Sequence, residues 1–412
     1  MRSSKPAVIL GLLVLAVTIN YIDRGSVSVA KPDVAREFGL DDAQMGWLFS
    51  AFFWSYSVCH LAAGWLVDRY DVKWVYAGGF VIWSLATASM GFFSGFAAFF
   101  ALRLMLGVGE SVAFPATSRV IVATFSEHRR GFANALVDAG SKVGPALTML
   151  LGGLVIAEYG WRVLFLAVGL GSLLWLIPWL ILVPSQKSAA ASAAPPPVAT
   201  PITLLLRRKE VWGTSLGFFC LGYVWYFLVT WLPSYLQDSR GFSKEDMAIF
   251  GSLPFWAMAV TSLTGGLLSD FWIARGGTPT RVRRTFLICG LLLCAGFMYP
   301  VTLVRDSTSC IALLTAACAS LGFYTSNAWA VTQTLAGPTA SGQWTGVQNF
   351  VGNLGGVVSP ALTGVLVQRS GGSYFLPFIA ATSVLVMGVV IYLTLVPKVE
   401  PLDWNESGEK SA

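Results

Sequence analysis

Long apolar runs, separated by short polar intervals, follow one another along nearly the whole chain. Each run holds about 20 residues or more, and a helix of that length, rising about 1.5 Å per residue, crosses a hydrocarbon core roughly 30 Å thick. The pattern therefore predicts an all-α integral membrane protein. Twelve transmembrane helices are predicted, over residues 7–30, 45–67, 74–94, 97–121, 131–156, 162–183, 211–236, 246–271, 283–303, 309–334, 343–367 and 374–396.

The longest polar interval is QKSAAASAAPPPVATP, at residues 186–201. A stretch of alanine, serine and proline has little to bury and is typical of a flexible surface linker. It divides the predicted helices six and six. We therefore expect an N-terminal six-helix bundle over 1–183, a cytoplasmic linker over 184–210, a C-terminal six-helix bundle over 211–397 and a cytoplasmic tail over 398–412.

The composition supports the membrane prediction. Hydrophobic residues make up 55% of the chain and charged residues 12%, whereas soluble domains average roughly 45–50% apolar and about 25% charged. The formal net charge of +6 would suit nucleic acid in a soluble protein, but in so apolar a chain the basic residues are better explained by the orientation of membrane helices. We expect a lipid bilayer around the protein and no nucleic-acid partner.

Lysine and arginine fall unequally on the two sides of the predicted helices. If the N-terminus is cytoplasmic, that side receives most of them, including Arg69, Lys73, Arg207, Arg208 and Arg281. The positive-inside rule then predicts that both termini are cytoplasmic. We expect a multi-pass protein of the plasma membrane, here the inner membrane of a bacterium.

Two similar segments stand at corresponding places in the two halves. GWLVDRYDVK, at 64–73, lies between predicted helices 2 and 3, and GGLLSDFWIARGG, at 265–277, lies between helices 8 and 9 and is followed by RVRR. Both combine small residues at a helix end with an acid and nearby bases. Such repetition is expected of a duplicated transporter architecture, with two pseudo-symmetric bundles.

The first of these segments resembles the G-x-L-x-D-R-x-G-x-K/R loop of the major facilitator superfamily. The match falls at Gly64, Leu66, Asp68, Arg69 and Lys73, and Asp71 stands where the family usually has glycine. The resemblance implies a conformational latch at Gly64, Asp68, Arg69 and Lys73, with Asp270 in the second copy. The alternative is a positive-inside anchor without a latch function.

A closer resemblance extends over nearly the whole chain. NYIDRGSVSVA (20–30), LRLMLGVGESVAFPATSRV (102–120), TWLPSYL (230–236) and QNFVGNLGGVVSPALTG (348–364) are similar to the anion:cation symporter family within that superfamily. Known members carry galactonate, glucarate, hexuronates, phthalate or tartrate. The resemblance implies a monomeric carrier that moves a small carboxylate substrate inward with protons.

Ionisable residues inside the predicted helices are the candidates for this chemistry, because each costs about 2.5–3.5 kcal/mol or more at the bilayer centre. They are Asp23, Arg24, Arg103, Glu110, Asp138 and Lys142. Counting residues from the helix centres places Asp23, Arg24 and Arg103 at one level, displaced toward the outside. The same count places Glu110 near the midplane with Lys142 and Tyr56.

Proton coupling requires a carboxyl that is neutral in one state and charged in another. Burial favours the neutral form of a carboxyl and a nearby cation favours the charged form, so a rearrangement of helices can load and release a proton. We assign that role to Asp23 and Glu110, with Arg24 tuning its neighbour. The alternatives are a permanent ion pair between Asp23 and Arg24, and a structural hydrogen bond of Glu110 to a neighbouring helix.

Binding of a carboxylate requires cations and hydrogen-bond donors. Lys142 is the first candidate, with Asp138 four residues before it as the group that holds Lys142 when no substrate is bound; the alternative is a pair that only neutralises itself. Arg103 is the second candidate, because a guanidinium engages a carboxylate through two hydrogen bonds. Tyr56 is the aromatic candidate. In the C-terminal half we expect polar contacts from Ser326, Asn349 and Asn353, or interhelical hydrogen bonds from the same side chains.

Two further classes of function remain open. GSKVGP, at 140–145, partly resembles an antiporter signature, so proton-driven efflux of an organic acid or drug is the main alternative to import. A membrane sensor or intramembrane enzyme is the other. The sequence contains no convincing pairing of nucleophile and base, HExxH or phosphate-binding loop, and we expect neither enzyme activity, nor a cofactor, nor a metal.

Overall fold

The computed structural model describes residues 6–125, 127–185 and 201–404, and within these ranges it contains helices and short connections but no strand. Ten helices are long and apolar enough to cross a membrane, and α2 and α3, of 28 and 19 residues, complete the predicted twelve. The all-α class with twelve helices is confirmed. The helices are α1 Pro6–Phe38, α2 Asp42–Arg69, α3 Val72–Met90, α4 Phe96–Thr124, α5 Phe132–Tyr159, α6 Trp161–Leu182, α7 Lys209–Ser239, α8 Lys244–Ala274, α9 Pro279–Val301, α10 Ser307–Gly337, α11 Gln343–Arg369 and α12 Phe375–Leu395.

Several helices extend beyond the predicted apolar runs, and α1 does so most. The run was predicted to end at residue 30, but the helix continues to Phe38 through Lys31 and Pro32. Lys31 is only 5% exposed, because its ammonium group is paired with carboxylates of neighbouring helices. Interhelical ion pairs therefore carry the helix past the point where the apolar pattern stops.

Local sequence signals set the helix ends. Asp41 and Gln44 form a reciprocal capping box at the start of α2, in which each side chain accepts from the backbone N–H of the other, so two N–H groups without helical partners are satisfied. Glycine separates α5 from α6, where Gly160 has φ 84°, and Gly337, with φ 62°, breaks α10 from α11. These backbone conformations favour a residue without Cβ.

The outer surface of the helices carries many large apolar side chains. Leu174 and Ile181 of α6 and Leu267 of α8 are 67%, 74% and 71% exposed. A contiguous apolar surface of this kind is costly in water and suits the hydrocarbon core of a bilayer. The helices are thus apolar both where they pack together and where they face their surroundings.

The first six helices contact the last six where α1 ends and α2 begins, which we call the α1–α2 end; the opposite side is the α2–α3 end. At the α1–α2 end Lys31 pairs with Asp238 of α7 at 3.2 Å and Lys244 of α8 pairs with Asp33 at 2.7 Å. The backbones of α2 and α11 approach closely, since a Cβ on Gly46 would lie 2.7 Å from the carbonyl oxygen of Pro360. Small residues permit such contacts between membrane helices.

Part of the predicted linker and tail lies outside the described residues, namely 186–200 and 405–412. Within the rest of the predicted linker, Ile202–Leu206 forms a short helix. The described part of the tail packs on the end of α10, where the N–H of Leu402 donates to the carbonyl of Leu335 at 3.0 Å and the indole of Trp404 donates to that of Ala336 at 3.0 Å.

Candidate functional site

A buried ion pair joins the middle of α1 to the middle of α4. The Nε of Arg24 donates to Oε2 of Glu110 at 2.7 Å, with side-chain exposures of 3% and 0%. Counting residues from the predicted helix centres had placed Arg24 toward the outside and Glu110 near the midplane. That placement was wrong because α1 is longer than its apolar run: the midpoint of Pro6–Phe38 is residue 22 and that of Phe96–Thr124 is residue 110, so both partners lie near their helix centres.

Aromatic rings surround the guanidinium of Arg24. Its Cζ lies 4.6 Å from the ring centre of Tyr21, 4.8 Å from that of Phe52 and 4.6 Å from that of Tyr56. Ring faces attract a cation most strongly where water is excluded. Tyr56 is therefore part of the aromatic wall around Arg24, and its own ring stacks on Phe52 at 5.2 Å.

Asp23, the neighbour of Arg24 along the chain, lies near the Arg24–Glu110 pair and Thr87 of α3. It is 1% exposed, and neither of its carboxylate oxygens has a hydrogen-bond partner among the described residues. Asn20, one helical turn earlier and 0% exposed, likewise has an amide that makes no hydrogen bond of normal geometry in that part of the chain, although it neighbours the carboxylate of Glu110. Unsatisfied buried polar groups are costly, and two on successive turns of α1 make this helix a candidate functional element.

Arg103 is attached to α2 through backbone carbonyls. Its Nε donates to the carbonyl of Leu48 at 3.2 Å and its Nη2 to that of Phe49 at 3.2 Å, while its Nη1 has no partner among the described residues. The guanidinium lies 5.1 Å from the ring centre of Phe52, the same ring that contacts Arg24. Arg103 thus shares one aromatic neighbour with the ion pair and retains one unpaired donor.

Lys142 forms the second charged group of the site. Its Nζ lies 2.5 Å from Oδ1 of Asp138, and Oδ2 of Asp138 accepts from the hydroxyl of Ser262 on α8 at 3.0 Å. The hydroxyl of Ser262 in turn lies 3.1 Å from that of Thr325 on α10. The predicted pairing of Asp138 with Lys142 is therefore present in the structure, and it continues across to the second set of six helices.

The polar residues predicted in the C-terminal half do not form one cluster. Asn353 of α11 accepts from the hydroxyl of Tyr226 of α7 at 3.2 Å and donates to the carbonyl of Asn349 at 2.9 Å. Tyr226 faces the first six helices, since its ring centre lies 4.2 Å from that of Phe53. Ser326 lies elsewhere, between α10 and α8, where a Cβ on Gly265 would come within 3.3 Å of its hydroxyl.

The predicted latch residues lie at the α2–α3 end. Arg69 is exposed, with its guanidinium 5.6 Å from the ring centre of Trp65, and Lys73 follows in the first turn of α3. Asp71, the departure from the family pattern, is the N-cap of α3 and accepts from the backbone N–H of Lys73 at 3.0 Å. Gly64 lies on α2 with open space around it. The side chain of Asp68 lies outside the described part of the structure.

The second copy of the motif is an ion pair between α8 and α9. Asp270 accepts from Nη2 of Arg283 at 2.7 Å, and Nη1 of the same guanidinium donates to Ser269 and to Asn327 of α10, each at 3.0 Å. One arginine therefore ties three helices of the second set of six. Asp270 itself is 69% exposed in its side chain, which weakens its pairing relative to a buried one.

Sequence reasoning missed Ser262 and Thr325, which extend the Asp138 contact, and Asn20, which lies beside the Arg24 position. Hydroxyl groups in apolar helices usually bond to their own backbone, as Thr325 also does to the carbonyl of Gly322, so nothing in the pattern singles out a hydroxyl that also contacts a carboxylate. Asn20 had a usable signal, because an amide in the middle of an apolar run is rare.

Comparisons with known proteins agree with this architecture. The family model described as "Major Facilitator Superfamily" matches residues 13–360. The "Probable sulfoacetate transporter SauU" of Cupriavidus necator is 32% identical over 405 residues, covering 94% of this chain and 93% of the relative. The "D-galactonate transporter" of Escherichia coli is 30% identical over 415 residues, covering 94% and 95%. The crystal structure of a bacterial homologue of the human lysosomal transporter Spinster, inward-facing and occupied, superposes with a TM-score of 0.80 at 18% identity, over 97% of this chain and 98% of that one.

Proposed function

Because the chain belongs to the major facilitator superfamily, a family of transporters rather than enzymes, we propose that it is a symporter that carries a small organic anion inward together with protons. The observation that carries the proposal is the buried Arg24–Glu110 ion pair beside the carboxyl of Asp23, which has no hydrogen-bond partner of normal geometry in the described part of the chain. A charge of this kind is retained inside membrane helices mainly for a pathway or a relay.

Asp23 and Glu110 are the two proton carriers of the proposal. Glu110 has a guanidinium to neutralise it in this state, whereas Asp23 has no partner among the described residues. A small rotation of α1 would exchange these environments, because the two carboxyls compete for cations on α1 and α4. Protonation of one carboxyl would thereby favour one arrangement of the helices.

The anion is proposed to bind at Lys142, with Arg103, Asn349, Asn353 and Ser326 as further candidate contacts that would have to be brought together from their separate positions in the present state. In the present state Lys142 is paired with Asp138 at 2.5 Å, so a substrate carboxylate must compete with Asp138. Such competition keeps binding reversible, since release is assisted by re-formation of the internal pair. Relatives named for sulfoacetate, galactonate and galactarate or glucarate suggest a small acid with a carboxylate or sulfonate group.

Transport is proposed to occur by alternating access, with the bundles 1–183 and 211–397 rocking about the site. The ion pairs of Lys31 and Lys244 close the α1–α2 end. If the basic α2–α3 end faces the cytoplasm of a bacterium, with both termini inside, the described state is closed to the outside.

Purified protein in liposomes tests the direction of coupling. Uptake of labelled sulfoacetate, galactonate and glucarate would be measured with the lumen alkaline, acidic or at equal pH, alongside protein-free liposomes. Stimulation by an alkaline lumen supports symport. Stimulation by an acidic lumen would instead establish proton-driven efflux, and uptake that ignores the pH gradient would contradict both.

A further inference from the structure

A shallow, open pocket lies on the surface between α9 and α12 at the α2–α3 end, away from the proposed transport site. Its volume is about 530 Å³. Its polar lining comes from the N-cap and first turns of α9, and one apolar side chain comes from the end of α12: Thr278, Thr280, Arg281, Arg284, Thr285 and Leu393. The transport mechanism proposed above uses none of these residues, although two of them are arginines and three carry hydroxyl groups.

We propose that this pocket binds the phosphate headgroup of an anionic phospholipid. Arginine binds phosphate oxygens through parallel hydrogen bonds, and threonine hydroxyls donate to the oxygens that remain. The guanidinium of Arg281 is exposed and has no partner among the described residues. That of Arg284 donates through Nη1 to the carbonyl of Pro397 at 2.8 Å, but its Nε is buried with no partner in the described part of the chain.

The remaining walls suit acyl chains rather than water. Ile288 and Cys289, one to two turns further along α9, complete the lining with Leu393, and Leu393 is 48% exposed. In the most apolar stretch of α12 only 33% of the residues are buried, so this side of the molecule faces lipid. A polar group at the helix ends that is continuous with an apolar lipid-facing wall matches a phospholipid, whereas free phosphate would use only the polar part.

Hydrogen bonds between the tail and α9 hold the pocket residues in position. The hydroxyl of Thr280 accepts from the N–H of Val399 at 3.0 Å, and Arg284 holds Pro397. The first turn of α9 and the start of the tail are thus fixed to each other, and the donors that would bind a headgroup are held in place before it arrives, which lowers the ordering cost of binding.

The test uses the full-length protein, delipidated in neutral detergent, and native mass spectrometry to count retained lipids. The probes are phosphatidylglycerol, phosphatidylcholine and inorganic phosphate. We compare the wild type with Arg281→Gln and Arg284→Gln. Arg275→Gln is the matched control, because Arg275 is an exposed arginine of the same connection whose guanidinium lies against Phe271, 4.1 Å from the ring centre, outside the pocket.

Phosphatidylglycerol should bind wild type and Arg275→Gln alike, and binding should weaken about five-fold for each pocket arginine removed. Arg284→Gln could also loosen the tail, because Arg284 donates to Pro397. Arg281→Gln is then the deciding variant, because the guanidinium of Arg281 contacts no other group among the described residues. Equal retention of phosphatidylcholine, or unchanged phosphatidylglycerol binding in Arg281→Gln, overturns the proposal. Displacement of the lipid by millimolar inorganic phosphate, with phosphate itself retained, would show a free-anion site instead.

Discussion

The guanidinium of Arg24 and the carboxylate of Glu110 form an ion pair at 2.7 Å, shielded from solvent, that joins α1 to α4 near the centres of both helices. Ring faces on three sides of Arg24 leave it no aqueous screening. A pair in such surroundings is stable only while both charges are present, because one charge left alone is strongly destabilised. Any step that neutralises Glu110 must therefore move or re-pair Arg24.

Replacement of Glu110 by glutamine tests this coupling. We expect Glu110→Gln to lower pH-driven accumulation about ten-fold or more, while exchange of substrate at equal pH continues. The glutamine side chain keeps the shape of glutamate but has no carboxyl group that can take up and release a proton. Uptake and counterflow in the same liposomes provide the measurement, and Glu158→Gln, at the exposed end of α5, is the matched control. Full accumulation by Glu110→Gln would remove Glu110 from the proton pathway.

Replacement of Asp23 by asparagine should separate stability from transport. Neither oxygen of Asp23 has a partner among the described residues, so Asp23→Asn should leave the thermal unfolding temperature unchanged or slightly raised. Glu110→Ala, which leaves Arg24 unpaired, should cost about 3–5 kcal/mol. Both variants should fail to accumulate substrate. A large loss of stability in Asp23→Asn would indicate a structural role for its carboxyl.

Lys142 and Asp138 should change anion affinity in opposite directions. Lys142→Gln removes the cation and should weaken binding about ten-fold, whereas Asp138→Asn removes the competing carboxylate and should tighten binding by a similar factor. Binding by isothermal calorimetry at fixed pH is the measurement, with Lys398→Gln on the exposed tail as control. If both variants weaken binding equally, the pair supports the fold and does not compete with the substrate.

The ion pair of Lys31 with Asp238 should bias the molecule toward the state closed at the α1–α2 end, because it joins α1 to α7, whereas Asp42 lies on α2 within the same six helices. Asp238 keeps 43% of its side chain exposed, so this contact is worth up to about 1 kcal/mol. Lys31→Gln should shift the population toward the open form about five-fold. Spin labels at Arg36 and Glu245, on α1 and α8, would report the opening as a longer distance.

Arg305→Gln is the control for Lys31→Gln, since Arg305 is an exposed base in the connection between α9 and α10 and carries the same charge. An unchanged distance distribution in Lys31→Gln, or the same change in Arg305→Gln, would show that the Lys31 pairs do not hold this end closed.

The number of helices followed from the apolar runs, because hydrocarbon thickness sets their minimum length regardless of tertiary contacts. Their ends did not follow, as α1 shows: Lys31 reads as a loop residue in the pattern, but ion pairs with α2 and α7 keep it inside the helix. The sequence shows a charged residue at the end of an apolar run. It does not show which residue of another helix pairs with that charge.

In the candidate site, too, the charged residues could be predicted from the sequence but their partners could not. Arg24, Glu110 and Lys142 could be identified from sequence because a charge in an apolar run is conspicuous and costly. The partner of Glu110 could not, since small errors in helix centre displace a residue by a full turn. The contact of Asp138 with Ser262 depends on how α5 faces α8, and a hydroxyl carries no sign of that orientation.

The docking of the tail on α10 affects how the chain can be shortened. Leu402 and Trp404 supply donors to the carbonyls of Leu335 and Ala336, which stand just before the non-helical backbone of Gly337. Trimming for crystallisation before residue 402 would expose both oxygens and loosen the junction of two membrane helices. A purification tag should therefore be placed after Trp404. A protease site between Trp404 and the tag should be cut so that Trp404 stays on the protein.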